Sequence, residues 1–227
     1  MKSLAMYSTR KFDFLDDGIT IFQIGNRQLF WELQRFWQSE EHPNMAFSED
    51  GKVLKPSKSA LFIGDVGQCI DFNKLFGRQI ITMIMHELDE TQNHRLYDAN
   101  CVIKDVVNEA IFEANLPIDL PTDWDLQAML KYLKPQLELT NFRSAYDIIG
   151  SLTDITQRLS DKRLLIFTNI GQYLTSEQIK LLALDLKSQH QSVLFLEKVN
   201  TKIEVYQGSE GIKIVYIDND FVEFENG

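Results

Sequence analysis

Only two cysteines occur in 227 residues, Cys69 and Cys101, far apart and outside any C-x-x-C pattern. That spacing excludes a disulfide framework and a thiolate metal site, and two buried reduced thiols are expected. Long hydrophobic runs are also missing: no stretch approaches the roughly 18 apolar residues that a bilayer-spanning helix needs. The opening MKSLAMYSTRKFDF turns polar too soon for a secretory signal. A cytoplasmic protein with no membrane partner is therefore expected. Basic residues are outnumbered, 23 Lys and Arg against 33 Asp and Glu, for a net charge of −10. This balance excludes a generally adhesive basic surface, though not a local basic lining inside an acidic shell.

Catalytic and nucleotide signatures are absent as well. A P-loop, G-x-x-x-x-G-K-[ST], brings backbone amides, a lysine and a hydroxyl together on phosphate and magnesium. The only Gly-Lys pair, Gly51-Lys52, runs into Val53 and lacks the earlier glycine. Gly25 stands alone after an apolar run, and Gly64 and Gly67 are too close together, with no lysine. The zinc motif H-E-x-x-H fails because Glu90 takes the second histidine's place after His86. No G-x-S-x-G nucleophile motif occurs.

What is present is an ordinary globular composition, 44% hydrophobic and 25% charged, able to bury a core. GITIFQI (18–24) reads as a buried strand, rich in β-branched and aromatic residues. It leads through Asn26, a plausible N-cap, into a helix whose Leu29, Phe30, Leu33, Phe36 and Trp37 share one face. A polar loop with SEDGK as its turn precedes a second strand, SALFIGDV (59–66). Strand signals then fade from 72 to 159. Helical patterns take over, one carrying Val102, Ile103, Val106, Val107, Ala110 and Ile111, with Pro117 and Pro121 breaking the run. RLLIFTN, QSVLFLEK and GIKIVYI restore the strand pattern, the last near the edge, and Thr175 with Gln178 forms a capping box before an intervening helix. The organisation expected is α/β: a mainly parallel sheet domain from 1–71 and 160–227, interrupted by a helical insertion over 72–159.

The strand–loop–helix LLIFTNIGQYLTSEQIKLLALDL (164–186) has the framework on which many folds bind phosphate. Its strand ends in Thr168 and Asn169 where a magnesium-holding aspartate would stand, while the next strand ends in Glu197. Two charge features remain. Lys52, Lys55 and Lys58 lie in a stretch free of acids, and with Arg27 and Arg35 they offer a basic surface or a solvated loop. Glu113, Asp119, Asp123 and Asp125 bracket the proline-broken hinge, a hard-oxygen set suited to calcium or simply a solvated acidic turn; the EF-hand pattern is missing.

KRLLIFTNIGQYLTSEQIKLLALDLKSQHQSVLFLEK (162–198) resembles the strand, N-x-G-x-Y-L-T loop, helix and V-L-F-L-E strand of the type II-A CRISPR adaptation DNA-binding protein. ITIFQIGNRQLFWELQRFW (19–37) resembles the same family around Arg27. The resemblance implies a head domain similar to P-loop ATPases without the P-loop and an elongated α-helical leg. It implies a homotetrameric ring that encircles double-stranded DNA without enzymatic activity, calcium at the leg hinge, and partnership with the adaptation integrase and effector nuclease in spacer acquisition. Carried over by position, Arg27, Lys162 and Arg163 are the DNA contacts, with Lys52, Lys55 and Lys58 a further set in a variable loop, and Glu113, Asp119 and Asp123 the metal ligands. This hinge is poorer in acids than the family's. Two alternatives stay open: a degenerate nucleotide-binding enzyme using Glu197 or Asp65 for a metal, and a protein-interaction module presenting Trp31 and Trp37.

Overall fold

A computed structural model of the chain describes residues 1–7, 10–38, 42–138, 142–206, 208–220 and 223–226. It divides into two compact units, one formed by 1–70 with 140–227 and the other by 71–139.

The first unit is built on continuously apolar strands. All seven residues of β3 (Gly18–Ile24) are buried, and two short strands precede it, β1 (Lys2–Met6) and β2 (Arg10–Asp13). Helix α1 (Arg27–Trp37) follows, its start fixed by the Asn26 side chain accepting from the Leu29 N–H. Next come β4 (Met45–Glu49), β5 (Lys52–Leu54), the single turn α2 (Pro56–Ser59) and β6 (Ala60–Asp65). After the second unit the chain returns with α6 (Ala145–Arg158), β7 (Leu164–Thr168), α7 (Ser176–Ser188), β8 (Ser192–Lys198), β9 (Ile212–Ile217) and β10 (Glu223–Asn226).

Strands β9, β3, β8, β7 and β6 form a parallel sheet, to which β10 adds an antiparallel edge in the order β10-β9-β3-β8-β7-β6. The segment GIKIVYI is thus an inner strand, because β10 lies outside it. Parallel strands are covered on both faces, which is why each reads as an apolar run. Phe22, Ile24, Leu164, Ile166, Leu194, Leu196, Val215 and Ile217 share one core cluster with Leu29, Leu33, Phe36 and Trp37 of α1. The alternate residues turn the other way, where α7 packs on β3 and β8. Gly18 lies at φ +118, and a Cβ there would meet the Gly211 carbonyl oxygen at 2.3 Å, so only glycine lets β3 and β9 begin side by side.

A second, antiparallel sheet of order β2-β1-β4-β5 lies over the α1 side, adding Leu4, Met6, Phe12, Met45 and Phe47 to that cluster. The sequence expectation had no strands at 1–13 and only a polar loop before the second strand. Each of these strands is short and buries at most three residues, and β5 none, too few for a period-2 signal. The SEDGK turn is present: Glu49 pairs with Lys52, and Asp50 and Gly51 take φ of 49° and 79°, the two-residue geometry that Asp-Gly favours.

The second unit contains α3 (Phe72–Glu87), α4 (Glu90–Glu113) and α5 (Leu126–Leu133). Helices α3 and α5 pack together, and the Asn73 side chain accepts from the Leu137 N–H at 2.7 Å. The 24 residues of α4 include none that is buried, and Val102, Ile103 and Val106 are each more than 60% exposed. Sequence expectation grouped 72–159 as one insertion, whereas α6 clusters with the first unit. The helix buries Ile149 and Leu152 beside α7, and Gln191 donates to the Thr153 carbonyl at 3.0 Å. Cys69 is exposed and Cys101 half-buried, so the expected burial of both thiols does not hold. Cys69 stands in the loop after β6, outside the core.

Candidate nucleic-acid interface

The loop after β7 stands at the C-terminal edge of the parallel sheet, the side on which α/β folds hold ligands. Asn169 enters the left-handed region at φ 57, and a 3-10 turn spans Ile170–Gln172. The Tyr173 and Leu174 N–H groups both donate back to the Ile170 carbonyl. Thr175 and Gln178 then close the capping box that starts α7. The Gly171 N–H, which would face a phosphate in a nucleotide site, donates to the Glu197 carboxylate at 3.3 and 3.4 Å. An anion position exists here and a side chain from the neighbouring strand fills it. Burial pushes the Glu197 carboxyl up to about 7, outweighing the loop amides that favour its charged form; the nearby Asp65 charge pushes the same way. Asp65 is itself engaged, accepting from the Gly67 N–H at 2.8 Å and from the Tyr173 hydroxyl, a bond that raises the Tyr173 pKa.

The raised Glu197 pKa makes stability depend on pH. Between the ordinary carboxyl value of 4.5 and about 7 the folded chain holds a proton that the unfolded chain releases. Stability from this group is therefore full below 4.5 and lost as pH rises through 7. The loss is on the order of 3 kcal/mol. Glu197→Gln, which still accepts from Gly171, is expected to flatten that decline in denaturant unfolding followed from pH 5 to 8. An unchanged slope would remove Glu197 as its source.

The basic residues singled out by sequence do not form one patch. Arg27 is exposed at the first position of α1, beyond the C-terminal end of β3. Lys52 on β5, Lys55 at the N-cap of α2 and Lys58 within α2 are all exposed, and α2 packs against α1. Lys162 is exposed too, and it precedes β7 as Lys58 precedes β6, each two residues before the paired Leu164 and Ala60. Both stand at the N-terminal edge of the sheet, opposite Arg27 and about 20 Å from it at ~3.3 Å per strand residue. Arg163 is tied to Asp161, its Nε lying 3.0 and 2.9 Å from the two carboxylate oxygens. With Arg163 only 17% and Asp161 4% exposed, that guanidinium is a structural partner at the start of β7. Sequence reading missed Lys2, whose ammonium donates to the Lys162 carbonyl at 2.9 Å and whose pKa burial lowers. Only its position in an unanticipated strand brings it there. Trp37 is core, while Trp31 is half exposed beneath the Arg35 guanidinium at 4.7 Å.

Glu113, Asp119 and Asp123 are exposed, and among the described residues no group of three Asp, Glu, His or Cys side chains could hold a metal ion. The carbonyl oxygens of Pro121 and Asp123, which a calcium ion would compete for, accept instead from the Lys104 ammonium at 2.6 and 3.2 Å. The residues present do not fit a calcium site, and no step of the mechanism runs through one. No helix among the described residues is long and apolar enough to cross a membrane. A sequence model described as CRISPR-associated protein (Cas_Csn2) matches residues 37–221. A search of curated proteins finds no match.

Proposed function

The chain belongs to the Cas_Csn2 family of CRISPR-associated proteins, and from that premise we propose that it is a non-enzymatic clamp on double-stranded DNA, assembled as a homotetrameric ring and used in spacer acquisition. On this reading the parallel sheet is the scaffold of a P-loop-like head emptied of its nucleotide site, and residues 71–139 serve as the leg. The observation that carries the proposal is the internal filling of the loop's anion position: Glu197 occupies the Gly171 amide, while Arg27, Lys52, Lys55, Lys58 and Lys162 stand exposed. Repetition of those cations around a ring turns modest charge on one chain into a continuous lining facing phosphate. Such contacts position a duplex without reading its bases. The exposed apolar stripe of α4 supports self-association, since contiguous apolar surface is what a subunit interface covers. The adaptation integrase and the effector nuclease are the protein partners that this role calls for.

A gel shift on one plasmid sequence tests the clamp. Linear duplex is expected to bind and covalently closed circle not to, because a closed ring loads only over ends. Equal binding to both forms would replace the ring with an open groove. Micromolar ATP–magnesium binding abolished by Glu197→Gln would overturn the proposal in favour of a nucleotide enzyme.

A further inference from the structure

The second unit contains a built aromatic corner that no part of the clamp uses. Near the start of α4 an open cavity of about 660 Å³ is lined by Glu90, Asn93, His94, Arg95, Tyr97 and Trp124. The Tyr97 and Trp124 rings are 6.0 Å apart with their planes at 87°, two walls of a corner, and His94 lies nearly parallel to Tyr97 at 6.4 Å. Tyr97 is 42% exposed, an unusual investment of aromatic surface on a helix whose neighbouring turns are polar.

Three attachments hold the corner in shape. Lys104 reaches from α4 to the carbonyls of Pro121 and Asp123, fixing the strand of chain that leads into Trp124. On the far side, Asp125 caps α5 by accepting from the Ala128 N–H at 2.8 Å. The edge-to-face contact of Tyr97 with Trp124 ties the two walls to each other. The first turn of α4 is meanwhile closed by its own Asp89–Gln92 capping box, so the cavity is not merely an uncapped helix end.

We propose that this corner receives an unpaired nucleotide at the end of a DNA duplex, with the base stacked on one of the two rings, its edge against the other, and the phosphate beside Arg95. The inference rests on the DNA-clamp reading and adds to it a recognition element for the end itself. Aromatic side chains hold single-stranded bases without regard to sequence, because every base has a stacking face. Glu90 lines the same cavity, and its carboxylate can accept from the donors of a base edge. The alternative aromatic-corner ligand, an organic cation, is opposed by Arg95 and by His94 when protonated, both of which line the same cavity.

Fluorescence anisotropy on a blunt duplex and on the same duplex carrying a short thymidine tail tests the proposal. The tail is expected to tighten binding by about tenfold, the worth of one stacked base. Tyr97→Ala and Trp124→Ala, each made alone, should abolish the advantage while blunt-duplex affinity stays put; Tyr97→Phe, which keeps the ring, should retain it. Equal affinity for blunt and tailed duplexes, or a tail advantage that survives both alanine variants, overturns the assignment and leaves the clamp intact. Quenching of Trp124 by a free thymidine oligonucleotide, read in a Trp31→Phe background, separates the two readings. If quenching occurs while neither duplex binds, the corner stands and the clamp falls; if no quenching occurs, the corner falls.

Discussion

Raising the salt concentration from 50 to 200 mM is expected to weaken duplex binding by about 10³–10⁵-fold if the ring neutralises 6–10 phosphates. The magnitude follows from counterion release, since log affinity falls against log salt with a slope near −0.9 for each phosphate neutralised. A chain of net charge −10 repels DNA over most of its surface. On the clamp reading, what attraction remains comes from the exposed cations, and the slope counts the phosphates they neutralise. Arg27→Glu is the informative variant. It stands at the first position of α1, where a cation opposes the helix dipole and a carboxylate agrees with it. The fold should therefore be unharmed, or slightly strengthened, while in the proposed ring every copy would give up a cation facing phosphate and gain a repulsion. Affinity for all duplexes should drop alike, and the salt slope should flatten by about 0.9 for each phosphate no longer neutralised. Anisotropy titrations at several salt concentrations measure both quantities. A slope unmoved by Arg27→Glu, or a weakening that depends on base sequence, would place the DNA elsewhere.

Trp37→Ala is expected to cost about 3–5 kcal/mol, a large part of the roughly 5–15 kcal/mol that holds a domain folded. Trp37 is only 2% exposed and ties three elements into one cluster. Its ring centroid lies 5.0 Å from that of Phe36 on α1, 5.1 Å from Phe47 on β4 and 6.3 Å from Phe14 ahead of β3. Removing it would open a cavity where the small sheet, α1 and the parallel sheet converge. The indole N–H, however, is buried without a hydrogen-bond partner among the described residues. An orphaned buried donor costs about 1–3 kcal/mol. Trp37→Phe loses some packing but also discards that donor, so its net cost should be about 1 kcal/mol or less. Denaturant unfolding of the two variants separates the effects. A loss for Trp37→Phe well above about 1 kcal/mol would mean that the indole N–H finds a partner, through water or rearrangement, whose hydrogen bond the variant gives up.

The parallel sheet was legible because its strands are apolar throughout, and LLIFT and VLFL admit no other reading in an α/β pattern. Local chemistry was equally readable: the Asn26 cap, the Thr175–Gln178 box and the Asp50-Gly51 turn are each set by neighbours within four residues. What escaped was decided at long range. Strands β1 and β4 pair across about forty residues and are held by Trp37 and Phe14 rather than by a pattern of their own. The allegiance of α6 depends on which core its Ile149 and Leu152 enter, and helical spacing is silent on that. The engagement of Arg163 by Asp161 was visible in principle, two residues away. Whether an arginine beside an acid pairs with it or reaches outward depends on burial. Glu113, Asp119 and Asp123 stood close in sequence, yet the irregular chain between α4 and α5 gives its carbonyls to Lys104 instead.

The placing of β3 between β8 and β9 has a consequence for how the chain is made. Residues 18–24 leave the ribosome early, but both neighbouring strands lie in 192–217. At typical rates of synthesis, about 5–20 residues per second, the central strand waits roughly 10–40 s for its partners. Throughout that interval a seven-residue segment, wholly buried in the finished protein, has both hydrogen-bonding edges open. Helix α1 and the small antiparallel sheet, all made by residue 54, can cover one of its faces but neither of its edges. Assembly of the sheet is governed by contacts of long sequence separation, which fold slowly and leave sticky edges exposed on the way. Chains released before residue 217 are thus expected to aggregate through those open edges.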